Sequence, residues 1–129
     1  MDKKAVASSL APSAIGPYSP GVVADGMIFL SGQIGLDPRS GSLATGVVAQ
    51  AEQVLSNIGA LLAEAGAGFE DVVKCTVFLA DIADFSAVND VYASRFPKPY
   101  PARSAVQVAA LPAGAVVEIE VIARVPSAG

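Results

Sequence analysis

Residues 72–92 read VVKCTVFLADIADFSAVNDVY, and the hydrophobic period changes partway along them. From Val72 to Leu79, Val73, Cys75, Val77 and Leu79 fall on one side and Lys74, Thr76 and Phe78 on the other, the period of two that a half-buried strand requires. From Asp84 the residues Phe85, Val88, Val91, Tyr92 and Phe96 recur at helical spacing until Pro97, so a helix is predicted over 84–96. A strand that runs directly into a helix places the chain among mixed α and β folds and supplies a frame for the segments on either side.

Upstream, Val22 to Ser31 is interrupted by Asp25-Gly26, a dipeptide that readily takes the positive φ angles of a two-residue hairpin turn. The turn-rich stretch Gly35 to Gly46 leads into a helix whose apolar positions are Val47, Ala51, Val54, Leu55, Ile58, Leu61, Leu62 and Ala65, with Gly66 and Gly68 stopping the pattern. Downstream, strands are predicted near Ser104–Ala109 and Val116–Arg124. The order is β-β-(β)-α-β-α-β-β, one strand being optional, with a hairpin at each end. It predicts an α+β domain with a mixed or antiparallel sheet and both helices on one face. The other sheet face then needs a cover.

The chain has 129 residues, enough for one domain over 1–129, with 1–11 a loosely ordered or extended N-terminal segment. Hydrophobic residues make up 53% and charged residues 16%, an apolar excess consistent with a buried subunit interface. No long uninterrupted apolar run appears, so no membrane partner is expected. A net charge of −4 with eight scattered basic residues gives no footprint for nucleic acid. There is no histidine, which removes the commonest general base and most transition-metal sites, so neither metal nor cofactor is expected. The single cysteine, Cys75, forms no internal disulfide and reads as a small core residue. With no secretion signal read in MDKKAVASSLAPS, the expected compartment is the cytoplasm.

The chemistry concentrates in Pro101–Glu120, PARSAVQVAALPAGAVVEIE. Arg103 follows Pro97, Pro99 and Pro101, which stiffen its approach, and its planar fork of donors suits a carboxylate. Glu118 and Glu120 lie two apart on one strand and therefore share a face. A glutamate can move a proton to or from water, so the segment points to a small anionic substrate.

The same segment resembles the signature of the RidA family, also called YjgF/YER057c/UK114. IGPYSPGV at 15–22, FLSGQIGLDPRSGSL at 29–43 and residues 72–92 resemble further family blocks in the family's order, so the likeness covers the chain from Pro12 onward. It implies a chorismate-mutase-like fold assembled as a homotrimer, with sites between subunits. It further implies hydrolytic deamination of short 2-imino or enamine acids, 2-iminopropanoate and 2-iminobutanoate, to 2-oxo acids and ammonia. By position, Arg103 would bind the substrate carboxylate and Glu118 would direct water. Tyr18 would line the pocket, with Ser31, the backbone at Gly32, where a missing side chain lets a ligand approach, Asn89, and the backbone amide of Ala105. Many members carry cysteine where this chain has Ala105, so no thiol chemistry is available there.

Two rival readings share these residues: a deaminase of a larger enamine such as 2-aminomuconate, and a non-catalytic trimer that binds small carboxylates. An endoribonuclease is disfavoured by the acidic balance and the lack of histidine.

Overall fold

Asp25 and Gly26 close the first hairpin with φ of +50° and +75°, the paired positive angles of a two-residue turn whose twist matches the flanking strands. In the computed structural model, which describes residues 2–126, they join β2 (Gly21–Ala24) to β3 (Met27–Ile34). Residue 1 and residues 127–129 of the single domain expected over 1–129 lie outside the described residues. Within the N-terminal segment, Lys4–Val6 form β1, paired antiparallel with β2. The optional extra strand thus precedes the hairpin rather than following it.

The remaining elements are α1 (Val47–Glu64), β4 (Val72–Leu79), α2 (Phe85–Arg95), β5 (Ala102–Gln107) and β6 (Val117–Arg124). They build one six-stranded mixed sheet in the order β1-β2-β3-β6-β4-β5. The C-terminal hairpin expected from the sequence does not form. β4, α2 and β5 make a crossover unit that returns β5 parallel to β4 on the outer edge, so β6 fills the slot between β3 and β4, antiparallel to both. Its sequence VEIEVIAR alternates cleanly, burying Val117, Ile119, Val121 and Ala123 beneath the helices.

Both helices cover that face. Val54, Leu55, Ile58, Leu61 and Leu62 of α1 are essentially solvent-free, and Val88, Val91 and Tyr92 of α2 join the same core as Cys75, Val77 and Leu79 of β4. Full burial of each such aliphatic side chain contributes about 1.5–3 kcal/mol. Val73, expected beside Cys75, is 44% exposed, while Val72 is buried. The register against β6 shifts between Val72 and Lys74, and this bulge turns Val73 out of the core. The opposite face of the sheet carries Phe29, Lys74, Thr76, Phe78, Glu118, Glu120 and Ile122, and among the described residues no helix packs over it.

Candidate active site

A second bulge shapes the first half of the site. Leu30 and Gln33 of β3 pair with Val121 and Ile119 of β6, so three steps on one strand oppose two on the other, and Ser31 and Gly32 together face Glu120 with one residue in surplus. Both Leu30 and Gln33 are buried on the helix side, which is possible only because the bulge absorbs the odd residue. A Cβ built on Gly32 would overlap Oε2 of Glu118 and come within 2.9 Å of its Cδ. The space left by the missing side chain is therefore occupied by the Glu118 carboxylate. Gly32, read in the sequence as a place of close ligand approach, also seats the acid in this chain.

Around Glu118 lies a cleft of about 570 Å³ whose walls include Ile15, Tyr18, Ser31, Gly32, Pro112 and Ala113. Ser31 Oγ donates to the Ser19 carbonyl at 2.7 Å, tying β3 to the loop that carries Tyr18. The Tyr18 ring is half exposed, and its hydroxyl accepts from the Ile15 N–H at 3.4 Å. Burial, helped by the like charge of Glu120 on the same face, raises the pKa of Glu118 above the usual carboxylate value. Glu120 thus acts on the site through its field.

Arg103 is elsewhere. It stands opposite Cys75 in the parallel β4–β5 register, and Cys75 in turn stands opposite Val121, a row that faces the helices. Glu118 stands opposite Phe78 in a row facing the other way. In one protomer, therefore, the arginine and the glutamate occupy opposite faces of the sheet, and the two groups that the sequence placed in one constellation do not meet. Asn89, Tyr92, Ala93, Tyr100, Pro101 and Arg103 line a separate cleft of about 410 Å³. The Arg103 guanidinium lies 4.8 Å from the centroid of the Tyr92 ring and 5.3 Å from that of Phe85. The ion pairs found among the described residues involve Arg39, Arg95 and Arg124, leaving the Arg103 charge for another anion.

Ala105 lines neither cleft with its side chain, which packs against the core. Its backbone matters more. The Val108 N–H donates to the Leu79 carbonyl at 2.9 Å, and strand alternation from there turns the N–H of residue 105 toward the unpaired edge beyond β5. Arg103 and that amide sit on the same short stretch of edge.

Three supporting residues were missed in the sequence. Tyr92 and Phe85 were read only as helix core, although an arginine on the adjacent strand finds their faces. Asn57 is fully buried on the apolar stripe of α1, and its Nδ2 donates to the carbonyls of Leu36 at 2.9 Å and Ile34 at 3.3 Å. It fixes the chain just beyond the bulge, and a polar residue interrupting an apolar stripe was the available signal. Among the described residues, no group of three or more His, Cys, Asp or Glu is arranged to hold a metal ion, and no helix is long and apolar enough to cross a membrane.

The sequence profile of the family described as Endoribonuclease L-PSP matches residues 8–125. A 2-iminobutanoate/2-iminopropanoate deaminase from Capra hircus is 57% identical over 122 residues, covering 94% of this chain and 89% of its own length. RidA from the Antarctic bacterium Psychrobacter sp. PAMC 21119 superposes with a TM-score of 0.92 at 47% identity over 94% of this chain and 98% of that one. E. coli TdcF, whose crystal structure holds serine, superposes with a TM-score of 0.89 at 41% identity over 94% of this chain and 98% of that one.

Proposed function

Because the chain belongs to the Endoribonuclease L-PSP family, the RidA family of the resemblance above, we propose that it is a 2-iminobutanoate/2-iminopropanoate deaminase whose active site is assembled between neighbouring copies of a cytoplasmic homotrimer. The observation that carries the reading is the division of labour between the two faces of the sheet. One face offers a cationic fork without an ion-pair partner among the described residues, and the other offers a carboxylate of raised pKa in a walled cleft. Neither half is sufficient alone. A second copy laid against the uncovered face would bring its Arg103 edge to Glu118, and closed symmetry would repeat that contact around the ring.

In the assembled site Arg103 and the residue 105 amide hold the substrate carboxylate, which fixes the adjacent C=N carbon. Serine bound to TdcF is likewise an α-carboxylate, which supports this assignment. Tyr18 and Asn89 complete the walls, with Ser31 holding the loop behind Tyr18. Glu118 accepts a proton from water as the water oxygen bonds to the carbon of the protonated imine, giving a carbinolamine. Glu118 then gives the proton to nitrogen, and as the C–N bond breaks and ammonia leaves, it takes the hydroxyl proton while the C=O bond forms, so the 2-oxo acid remains. A base whose pKa is raised toward neutrality takes that proton more readily than an ordinary carboxylate. Imines of this kind already hydrolyse in water, so positioning one carboxylate and one base is enough.

The test generates the imine in place with a serine or threonine dehydratase and follows 2-oxo acid formation. The wild type accelerates the reaction, whereas Arg103→Ala and Glu118→Gln do not. Binding of 2-oxobutanoate without any acceleration would overturn the enzymatic reading in favour of a carboxylate-binding protein.

A further inference from the structure

We propose that Tyr92 and Phe85 are positioning residues, forming an aromatic seat that sets the guanidinium of Arg103 at the angle and depth needed to take a substrate carboxylate; this rests on the carboxylate-binding role of Arg103. Three observations converge on it. The guanidinium lies over both rings, at 4.8 Å from Tyr92 and 5.3 Å from Phe85, within the range at which a cation is held by a ring face. Tyr92 is itself immobilised: it is 5% exposed, stacks on Phe96 at 4.2 Å, and Phe96 packs edge-on against Phe69 at 5.0 Å. And Tyr92 Oη is the one buried side-chain polar atom without a hydrogen-bond partner among the described residues. Its neighbourhood is the Cys75 thiol, and burial raises the pKa of both groups, so each stays neutral. The ring face, rather than the hydroxyl, is the part of the side chain that meets Arg103.

An arginine on an edge strand with no carboxylate to anchor it would otherwise sample many rotamers, and each carboxylate captured would have to immobilise it. Stacking on two rings orders the group before the ligand arrives, while leaving its N–H fork, which lies in the guanidinium plane, free at the rim. Asn89, three residues before Tyr92 on α2, and Ala93, one residue after it, line the same cleft, so the helix presents seat and wall together.

Wild type, Tyr92→Phe, Tyr92→Leu, Phe85→Leu and Arg103→Ala, together with the double variant Tyr92→Leu/Arg103→Ala, are compared for imine turnover and for 2-oxobutanoate affinity by calorimetry. Tyr92→Phe, which keeps the ring face, loses far less affinity than Tyr92→Leu. Tyr92→Leu raises KM and weakens 2-oxobutanoate on the order of tenfold while kcat changes far less, and Phe85→Leu does the same to a smaller degree. In the Arg103→Ala background Tyr92→Leu adds no further loss, which separates a seat for the arginine from a general packing role. Unchanged affinity in Tyr92→Leu, or an equal additional loss in the Arg103→Ala background, overturns the seat while leaving the deaminase reading intact. Undiminished activity in Arg103→Ala removes the parent reading and the seat with it. Should Tyr92→Leu fail to fold, Phe85→Leu decides the matter, because Phe85 is only partly buried at the first turn of α2.

Discussion

The cleft around Glu118 and the cleft around Arg103 are built by opposite means. The first is a product of backbone: a bulge in β3, a glycine that yields its space and a turn at Pro112–Gly114 in which Ala113 takes a φ of +58°. The second is a product of side chains: an edge strand whose arginine is steadied by aromatic faces from a helix. A carboxylate that must lose and regain a proton benefits from partial burial and a like charge nearby, which backbone packing can impose. A cation that must meet an anion benefits from staying charged and accessible, which ring faces permit. Placing them on opposite faces keeps them from neutralising each other within one protomer, where a direct ion pair would lower the pKa of Glu118 and occupy Arg103.

The sharpest way to break this comparison is to inactivate the halves separately and recombine them. Arg103→Ala and Glu118→Gln should each lower deaminase turnover by roughly 10²–10⁴-fold. Unfolded together and refolded as a mixture, they should regain about a quarter of wild-type activity, since in a ring each site draws one half from each neighbour and about one site in four receives two intact halves. A mixture as inactive as its components would put both halves in one protomer and end the shared-site reading. Gly32→Ala should come next, with kcat reduced on the order of tenfold or more and stability lowered by about 1–3 kcal/mol, because the added methyl and the Glu118 carboxylate require the same volume. Activity assays and thermal unfolding read both effects.

A smaller effect sharpens the electrostatic side of the comparison. In the proposed role Glu118 works as a base only when ionised, so kcat/KM should fall as pH drops through its raised pKa. Glu120→Gln removes the like charge, lowers that pKa, and should move the acid limb of the pH profile to lower pH with little change in the plateau. The smallest effect is on stability. A group whose folded pKa is raised binds its proton more tightly in the folded state, so its contribution is present below the unfolded pKa and is lost as pH rises through the folded one. Glu118→Gln should therefore raise Tm by roughly a degree or two near neutral pH, and that gain should vanish in acid, as thermal melts across pH would reveal.

Much of this architecture was legible in the chain itself. The Asp25-Gly26 turn, the apolar stripe of α1 and the change of period between β4 and α2 each follow from local chemistry, and each stands where the sequence put it. What local chemistry could not give was strand order. Val117–Arg124 reads equally well as the partner of β5 or as an insertion between β3 and β4, and only the parallel return of β5 selects the second. The same gap left open which face of the sheet each site residue takes. Arg103 and Glu118 are fifteen residues apart on consecutive strands, and a hairpin joining those strands could have set them on one face. With β4 interposed, their facing is decided by register across three strands, which no short pattern encodes. Bulges escaped for a related reason: a single surplus residue leaves composition untouched while reversing which side chain is buried, as at Val73.

The space shared by Gly32 and Glu118 also has a bearing on how such a chain can change over generations. Positions 32 and 118 are physically one choice made twice, on strands that lie side by side but are remote in sequence. A lineage that keeps the acid is held to glycine opposite it, whatever else drifts. A lineage that trades the acid for a smaller residue releases position 32 to take a side chain of its own. Descendants that have abandoned hydrolysis should thus betray it at the glycine, because that position records whether a carboxylate still needs the room.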